Sequence, residues 1–129
     1  MQKIGQLGEE LVAMFLVKRG YKIIGRNFWR PWGELDVIAE KERKVHFVEV
    51  KTVSCESIGV DVTRETSKDA YRPEDNVHPQ KIKRLSRIIQ TYLSAYVSDE
   101  TRWQFDVATV MLDQTSKRAK IKLLEDLIL

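Results

Sequence analysis

Gly33-Glu34-Leu35-Asp36-Val37-Ile38-Ala39 and Val45-His46-Phe47-Val48-Glu49-Val50-Lys51 are two short apolar runs that carry charges where a covered strand should have none. Separated by only a few residues, they read as a β-hairpin. With Glu42 and Arg43 as the turn, antiparallel pairing sets Asp36 opposite Glu49, Glu34 opposite Lys51 and Ile38 opposite Phe47, all on one face. The other face pairs Leu35 with Val50 and Val37 with Val48. Apolar residues on both faces suit a hairpin inside a sheet covered on both sides. The charges need their own explanation.

Two carboxylates directly opposite on a sheet repel each other, and partly buried anions without partners cost several kcal/mol or shift toward their neutral form. A divalent cation between Asp36 and Glu49 removes that penalty. Mg²⁺ fits, because it is held by one or two carboxylates while keeping waters and binding phosphate oxygens. The Val50 carbonyl is a third oxygen ligand in this reading. Lys51, two residues past Glu49 and so on the same face, sets an ammonium where it orients an attacking water or offsets charge in a phosphorane-like transition state. The plainer alternative makes Glu34 and Lys51 an ordinary cross-strand ion pair and leaves Asp36 and Glu49 in water at the rim. A bare Glu-x-Lys in a strand favours that alternative; Asp36 at the matching register position brings the metal reading level with it.

The chain has 129 residues, 43% of them hydrophobic, as expected of one domain with a single core. It has no apolar run long enough for a membrane span and no signal-like start, so a cytoplasmic location is expected. Cys55 is the single cysteine, and His46 and His78 lack metal-motif spacing, so none of the three is a site candidate. The net charge of +3 matters less than its distribution. Leu11 to Gly33 holds no acid but contains Lys18, Arg19, Lys22, Arg26 and Arg30, and the segment after Pro79 carries Lys81, Lys83, Arg84 and Arg87 with no acid before Asp99. Each block alone is as well explained by a solvated helix face. Together they flank the acidic hairpin, the arrangement a phosphodiester substrate needs.

Ile4, Leu7, Leu11, Met14 and Phe15 recur at helical spacing, and Gly20 closes that helix. Glu9 and Glu10 lie on opposite flanks of its apolar stripe, and periodicity does not choose between them. Tyr21 to Ile24 reads as a strand and Trp29 to Gly33 as a turn whose indoles pack against the sheet or helix, or stack on an unpaired base. Ser54 to His78 lacks periodicity; a mobile substrate loop on one side, and disorder or a short extension of the hairpin strands on the other, fit it equally. Pro79 opens a helix that buries Ile82, Leu85, Ile88, Ile89, Tyr92, Leu93 and Tyr96. Trp103 to Val110 is a further strand, in which Asp106 suits a structural partner for an arginine or a backbone donor. Ile121 to Leu129 is an apolar element of open type.

Gly8-Glu9, Gly20-Tyr21, Arg26-Asn27, Trp29-Arg30, Gly33-Glu34-Leu35-Asp36, Phe47-Val48-Glu49-Val50-Lys51, Lys81 and Phe105-Asp106-Val107 together resemble the YraN-like family of uncharacterised bacterial proteins, over most of the chain. That family is similar to the PD-(D/E)xK nucleases, particularly the Holliday-junction resolvases. The resemblance implies a restriction-endonuclease-like α/β fold of order α-β-β-β-α-β, a central mixed sheet flanked by helices. It also implies a metal site of Glu9, Asp36, Glu49 and Lys51, and it alone selects Glu9 over Glu10. Leu35 stands where the superfamily name has proline, and Val53 where most family members carry a basic residue. The expectation is therefore a Mg²⁺- or Mn²⁺-dependent endonuclease of structured or branched DNA, such as recombination intermediates. In it Glu9, Asp36, Glu49 and the Val50 carbonyl hold metal, Lys51 serves the water, and Arg26, Arg30, Lys81, Lys83, Arg84 and Arg87 hold DNA. A homodimer is compatible with this. The alternatives are a DNA-binding module that keeps the fold without cleaving, and an interaction protein whose charged hairpin is a salt-bridge network.

Overall fold

The computed structural model describes residues 4–55, 79–113 and 115–129. In chain order they form α1 (Ile4–Lys18), β1 (Lys22–Arg30), β2 (Gly33–Lys41), β3 (Lys44–Cys55), α2 (Pro79–Tyr96), β4 (Arg102–Asp113) and β5 (Arg118–Leu124). The α/β class and the α-β-β-β-α-β order hold, and the apolar tail adds a strand, β5. One mixed sheet runs β1-β2-β3-β4-β5. Its strands are antiparallel except for β3 and β4, which pair in parallel. Parallel neighbours need a crossover rather than a tight turn, and α2 lies on that crossover.

The hairpin has the expected register. Glu42 and Arg43 take φ values of 52° and 63°, the positive pair that a two-residue type I′ turn requires. From there the ladder runs through Ile38–Phe47 to Val37–Val48. It ends at that pair. The expected pairs Asp36–Glu49, Leu35–Val50 and Glu34–Lys51 are not made; β2 is held on this stretch by β1, through Phe28–Leu35 and Trp29–Glu34. Leu35 belongs to the core with Ile38, Phe47 and the buried face of α2, whereas Val37 belongs to the core with Val12 and Leu16 of α1. Residues two apart on a regular strand share a face, so β2 changes its facing at Asp36. Asn27, flanked in β1 by the partners of Leu35 and Val37, sits at φ 50°.

The helices cover opposite faces, and each comes close to the sheet at a glycine. Helix α1 buries Gly8, Val12 and Leu16, a line one turn apart, while Ile4 and Met14 of the expected stripe are exposed. A Cβ on Gly8 would run into the Thr52 side chain, so it is the missing side chain that lets α1 rest on β3. On the other face a Cβ on Gly33 would lie 3.2 Å from both the Arg84 carbonyl oxygen and the Ile88 Cβ. Leu85, Ile88, Ile89 and Tyr92 are buried as expected; Tyr96 is exposed and packs edge-on against Phe28.

Two further stretches take definite form. The Trp29–Gly33 turn shrinks to Pro31 and Trp32, because Arg30 pairs with Gly33 and Trp29 with Glu34. Of the alternatives open for Ser54 to His78, Ser54 and Cys55 take the strand extension and continue β3 beside Leu112 and Asp113. The rest of that expected loop, 56–78, lies outside the described residues. Among the described residues, no helix is long and apolar enough to cross a membrane.

Candidate metal centre

Where β2 and β3 part, the Asp36 Oδ2 atom accepts a hydrogen bond from the Val50 amide at 2.8 Å. A side-chain oxygen thus takes the place of the backbone acceptor that a continued ladder would offer. A residue's N–H and C=O leave an extended strand on the same edge, so the Val50 carbonyl faces this gap as well. Asp36 is only 9% exposed. Burial pushes its carboxyl up to about 8, with the Glu49 and Glu9 carboxylates adding to the rise and the Val50 amide opposing it. A side-chain interaction with Glu49 that favours the protonated form adds to the same rise. Glu34, at the rim, is also raised, by partial desolvation and by Glu9 and Glu49. Helix α1 and strands β2 and β3 therefore bring Glu9, Asp36 and Glu49, the three carboxylates that the family resemblance implies, into one electrostatic cluster.

Each outer carboxylate has a local partner. Asn27 Nδ2 donates to Glu9 Oε1 at 2.8 Å, and Lys81 Nζ lies 3.0 Å from Glu49 Oε2. Lys81, expected among the phosphate contacts, instead neutralises a carboxylate of the cluster. Drawn to these partners, the three carboxylates do not close around a point. Among the described residues, the His, Asp and Glu donors whose ligand atoms all lie within 4.8 Å of one another are His46, Asp106 and Glu125. The donor chemistry at Asp36 still suits a hard cation, being all oxygen, buried at its centre and short of positive charge. Lys51 is exposed beside Thr109 of β4, two residues beyond Glu49. It does not pair with Glu34 in the ladder, and it does not line the groove that holds the other basic residues.

Those cations lie on the α2 side. A groove of about 580 Å³ is lined by Arg30, Lys83, Arg84 and Arg87 with Trp29 and Trp32. A second, of about 480 Å³, runs past Glu49, Lys81 and Gln80. The grooves share Gly33, Glu34 and Arg84, so the basic surface leads into the carboxylate cluster. Arg26 stands apart, in a recess on the α1 side with Glu9, Glu10 and Asn27.

Sequence reasoning missed the other polar centre. His46 Nδ1 lies 2.9 Å from Asp106 Oδ2, while Asp106 Oδ1 accepts from Gln104 Nε2 at 2.7 Å and the Asp126 amide at 2.9 Å. Tyr21 stands edge-on to His46 with ring centroids 5.0 Å apart. Both oxygens of the fully buried Asp106 are satisfied, so this network ties the residues after β5 to the sheet. A backbone donor for Asp106 was among the expectations. Nothing in the spacing pointed to His46, because it meets Asp106 only through the parallel β3–β4 register.

The family model described as "Uncharacterised protein family UPF0102" matches residues 8–110. A UPF0102 protein of Caldicellulosiruptor bescii is 29% identical over 98% of this chain and 97% of its own length. One of Syntrophomonas wolfei is 36% identical over 87% of each chain, and one of Chlorobium phaeobacteroides is 36% identical over 84% of this chain and 76% of its own.

Proposed function

The chain belongs to the uncharacterised protein family UPF0102, whose description carries no activity, and from the geometry at Asp36 we propose a divalent-metal-dependent endonuclease acting on structured or branched DNA. On this reading the sheet and helices are the restriction-endonuclease-like core, and the protein works in the cytoplasm. The observation that carries the proposal is Asp36 itself. A buried carboxyl aimed into a strand gap by a backbone amide, with Glu49 and Glu9 raising its pKa, is costly for a fold and useful to a cation site.

Asp36, Glu49 and Glu9 would hold the ion, with the Val50 carbonyl as a neutral oxygen donor. Bound Mg²⁺ or Mn²⁺ would supply Lewis-acid neutralisation of the scissile phosphate and a water of lowered pKa. The protein's own part is to give up the Asp36 proton and hold that carboxylate through the Val50 amide. Lys81 must also exchange Glu49 for another anion, and the neighbouring phosphate is the natural one. Lys51, two residues beyond Glu49 on β3, would bring its ammonium to the reacting phosphate, orienting water and offsetting charge on the pentacovalent transition state.

The test is incubation with linear, flapped and four-way DNA in Mg²⁺ and in Mn²⁺, with Asp36→Ala as control. The expected result is metal-dependent cleavage that Asp36→Ala abolishes. One observation favours a second reading, a DNA-binding module that does not cleave: Asn27 and Lys81 already engage Glu9 and Glu49. Salt-dependent DNA binding with no cleavage in either metal would replace the nuclease with that module.

A further inference from the structure

Of the two tryptophans in the basic groove, one is committed to packing. Trp32 donates its Nε1–H to Thr91 Oγ1 at 3.0 Å, and the Arg87 guanidinium covers its ring at 4.5 Å. Trp29 is 61% exposed. It sits near the end of β1, an edge strand, in register with Glu34, whose carboxyl feels Glu9 and Glu49. Lys83, Arg84 and Arg87 face it across the groove from α2. An exposed indole among cations, one strand away from a carboxylate cluster, is poorly placed for a core and well placed for a base whose phosphates the cations hold.

We propose that this groove binds a single-stranded stretch of DNA, with one unpaired base stacked on Trp29 and its backbone led by Arg84 toward Asp36 and Glu49. This rests on the nuclease reading for what happens next, but not for binding. The argument is steric and electronic. Inside a duplex both faces of each base are covered by neighbouring bases, so an indole fixed on a rigid strand has a π-face to meet only where a base is unpaired or terminal. Lysine and arginine supply phosphate contacts that any nucleic acid would satisfy. Trp29 is therefore the element that discriminates, selecting the unpaired arm of a flap or junction.

The experiment measures binding in EDTA, where no cleavage is possible, by fluorescence anisotropy of a labelled 12-mer of thymidine and of a duplex of equal length. The single strand should bind at least about fivefold tighter than the duplex. Trp29→Ala should lose roughly tenfold in single-strand affinity, leaving duplex affinity and melting temperature unchanged, and Trp29→Phe should restore most of the loss. Bound thymidine should quench wild-type tryptophan fluorescence but hardly that of Trp29→Phe. Equal affinity for both DNAs, or a Trp29→Ala variant that binds single strands like wild type, overturns the proposal. The two readings fail separately. Trp29-dependent binding without cleavage in Mg²⁺ or Mn²⁺ removes the nuclease and keeps the groove; metal-dependent cleavage with Trp29→Ala indistinguishable from wild type does the reverse.

Discussion

The Asp36 carboxyl accepts a 2.8 Å hydrogen bond from the Val50 amide at the point where β2 leaves β3. The bond keeps one partly buried donor satisfied while holding an acid beside Glu49 and Glu9. It also opposes the burial that raises the Asp36 carboxyl to about 8, so protonation and strand geometry are linked at this residue.

That link predicts how metal-free stability depends on pH. Below about pH 4 Asp36 is protonated in both folded and unfolded chains. As pH rises toward 8 the unfolded chain loses a proton that the folded protein retains, so this residue's contribution to stability is progressively lost, on the order of several kcal/mol in all. Above 8 it changes no further. Melting in EDTA across this range, compared with Asp36→Asn, isolates the contribution: the variant should gain on wild type as pH rises. A constant difference between the two would show that Asp36 does not titrate abnormally.

Divalent metal should stabilise the folded protein through the same carboxylates. At ten times Kd, linkage gives about 1.4 kcal/mol, a rise of a few degrees in melting temperature. Asp36→Ala and Glu49→Ala should fold and lose this rise. Calorimetry with no heat and no melting shift at millimolar Mg²⁺ or Mn²⁺, with and without DNA, would exclude the centre.

Lys51 and the basic residues of α2 should fail in different ways. On the nuclease reading, in which the Lys51 charge acts mainly in the transition state, Lys51→Ala should lower cleavage by roughly 100-fold or more with only a modest loss of DNA affinity. Lys83→Ala with Arg87→Ala should weaken binding across all sequences and reduce the salt slope by about 1.4 to 1.8. Arg87 also covers Trp32, so this pair needs a melting control. Parallel losses of rate and affinity in both variants would contradict the division.

The contact between Gly8 and Thr52 should be a test of how α1 carries Glu9. Gly8→Ala should cost about 1–3 kcal/mol, because the new Cβ meets Thr52 and must lift the helix from β3. Metal affinity should fall with it. In a Thr52→Ala background the same substitution should cost far less, since space opens and alanine is the better helix former. Chemical denaturation of the four variants reads the coupling, and additive effects would mean the two residues do not oppose each other.

The sequence by itself determined what neighbours along the chain can decide. A two-residue turn and a period-two pattern set Val37 against Val48 and Ile38 against Phe47, because slipping by one residue would expose a whole apolar face. Apolar spacing and Pro79 placed α2 on the same grounds. Tertiary structure decided the rest. The ladder stops at Val37 because a side chain, not a backbone carbonyl, receives the Val50 amide, and a hydrophobic pattern does not register such a substitution. Glu9 and Glu10 flank one stripe alike, and only the landing of α1 on Thr52 brings Glu9 toward Asp36. Lys81 meets Glu49, and His46 meets Asp106, through a parallel crossover whose register no local turn encodes. Contacts closed by short loops are written in local pattern; those closed by packing one face on another are written only in the fit of the faces.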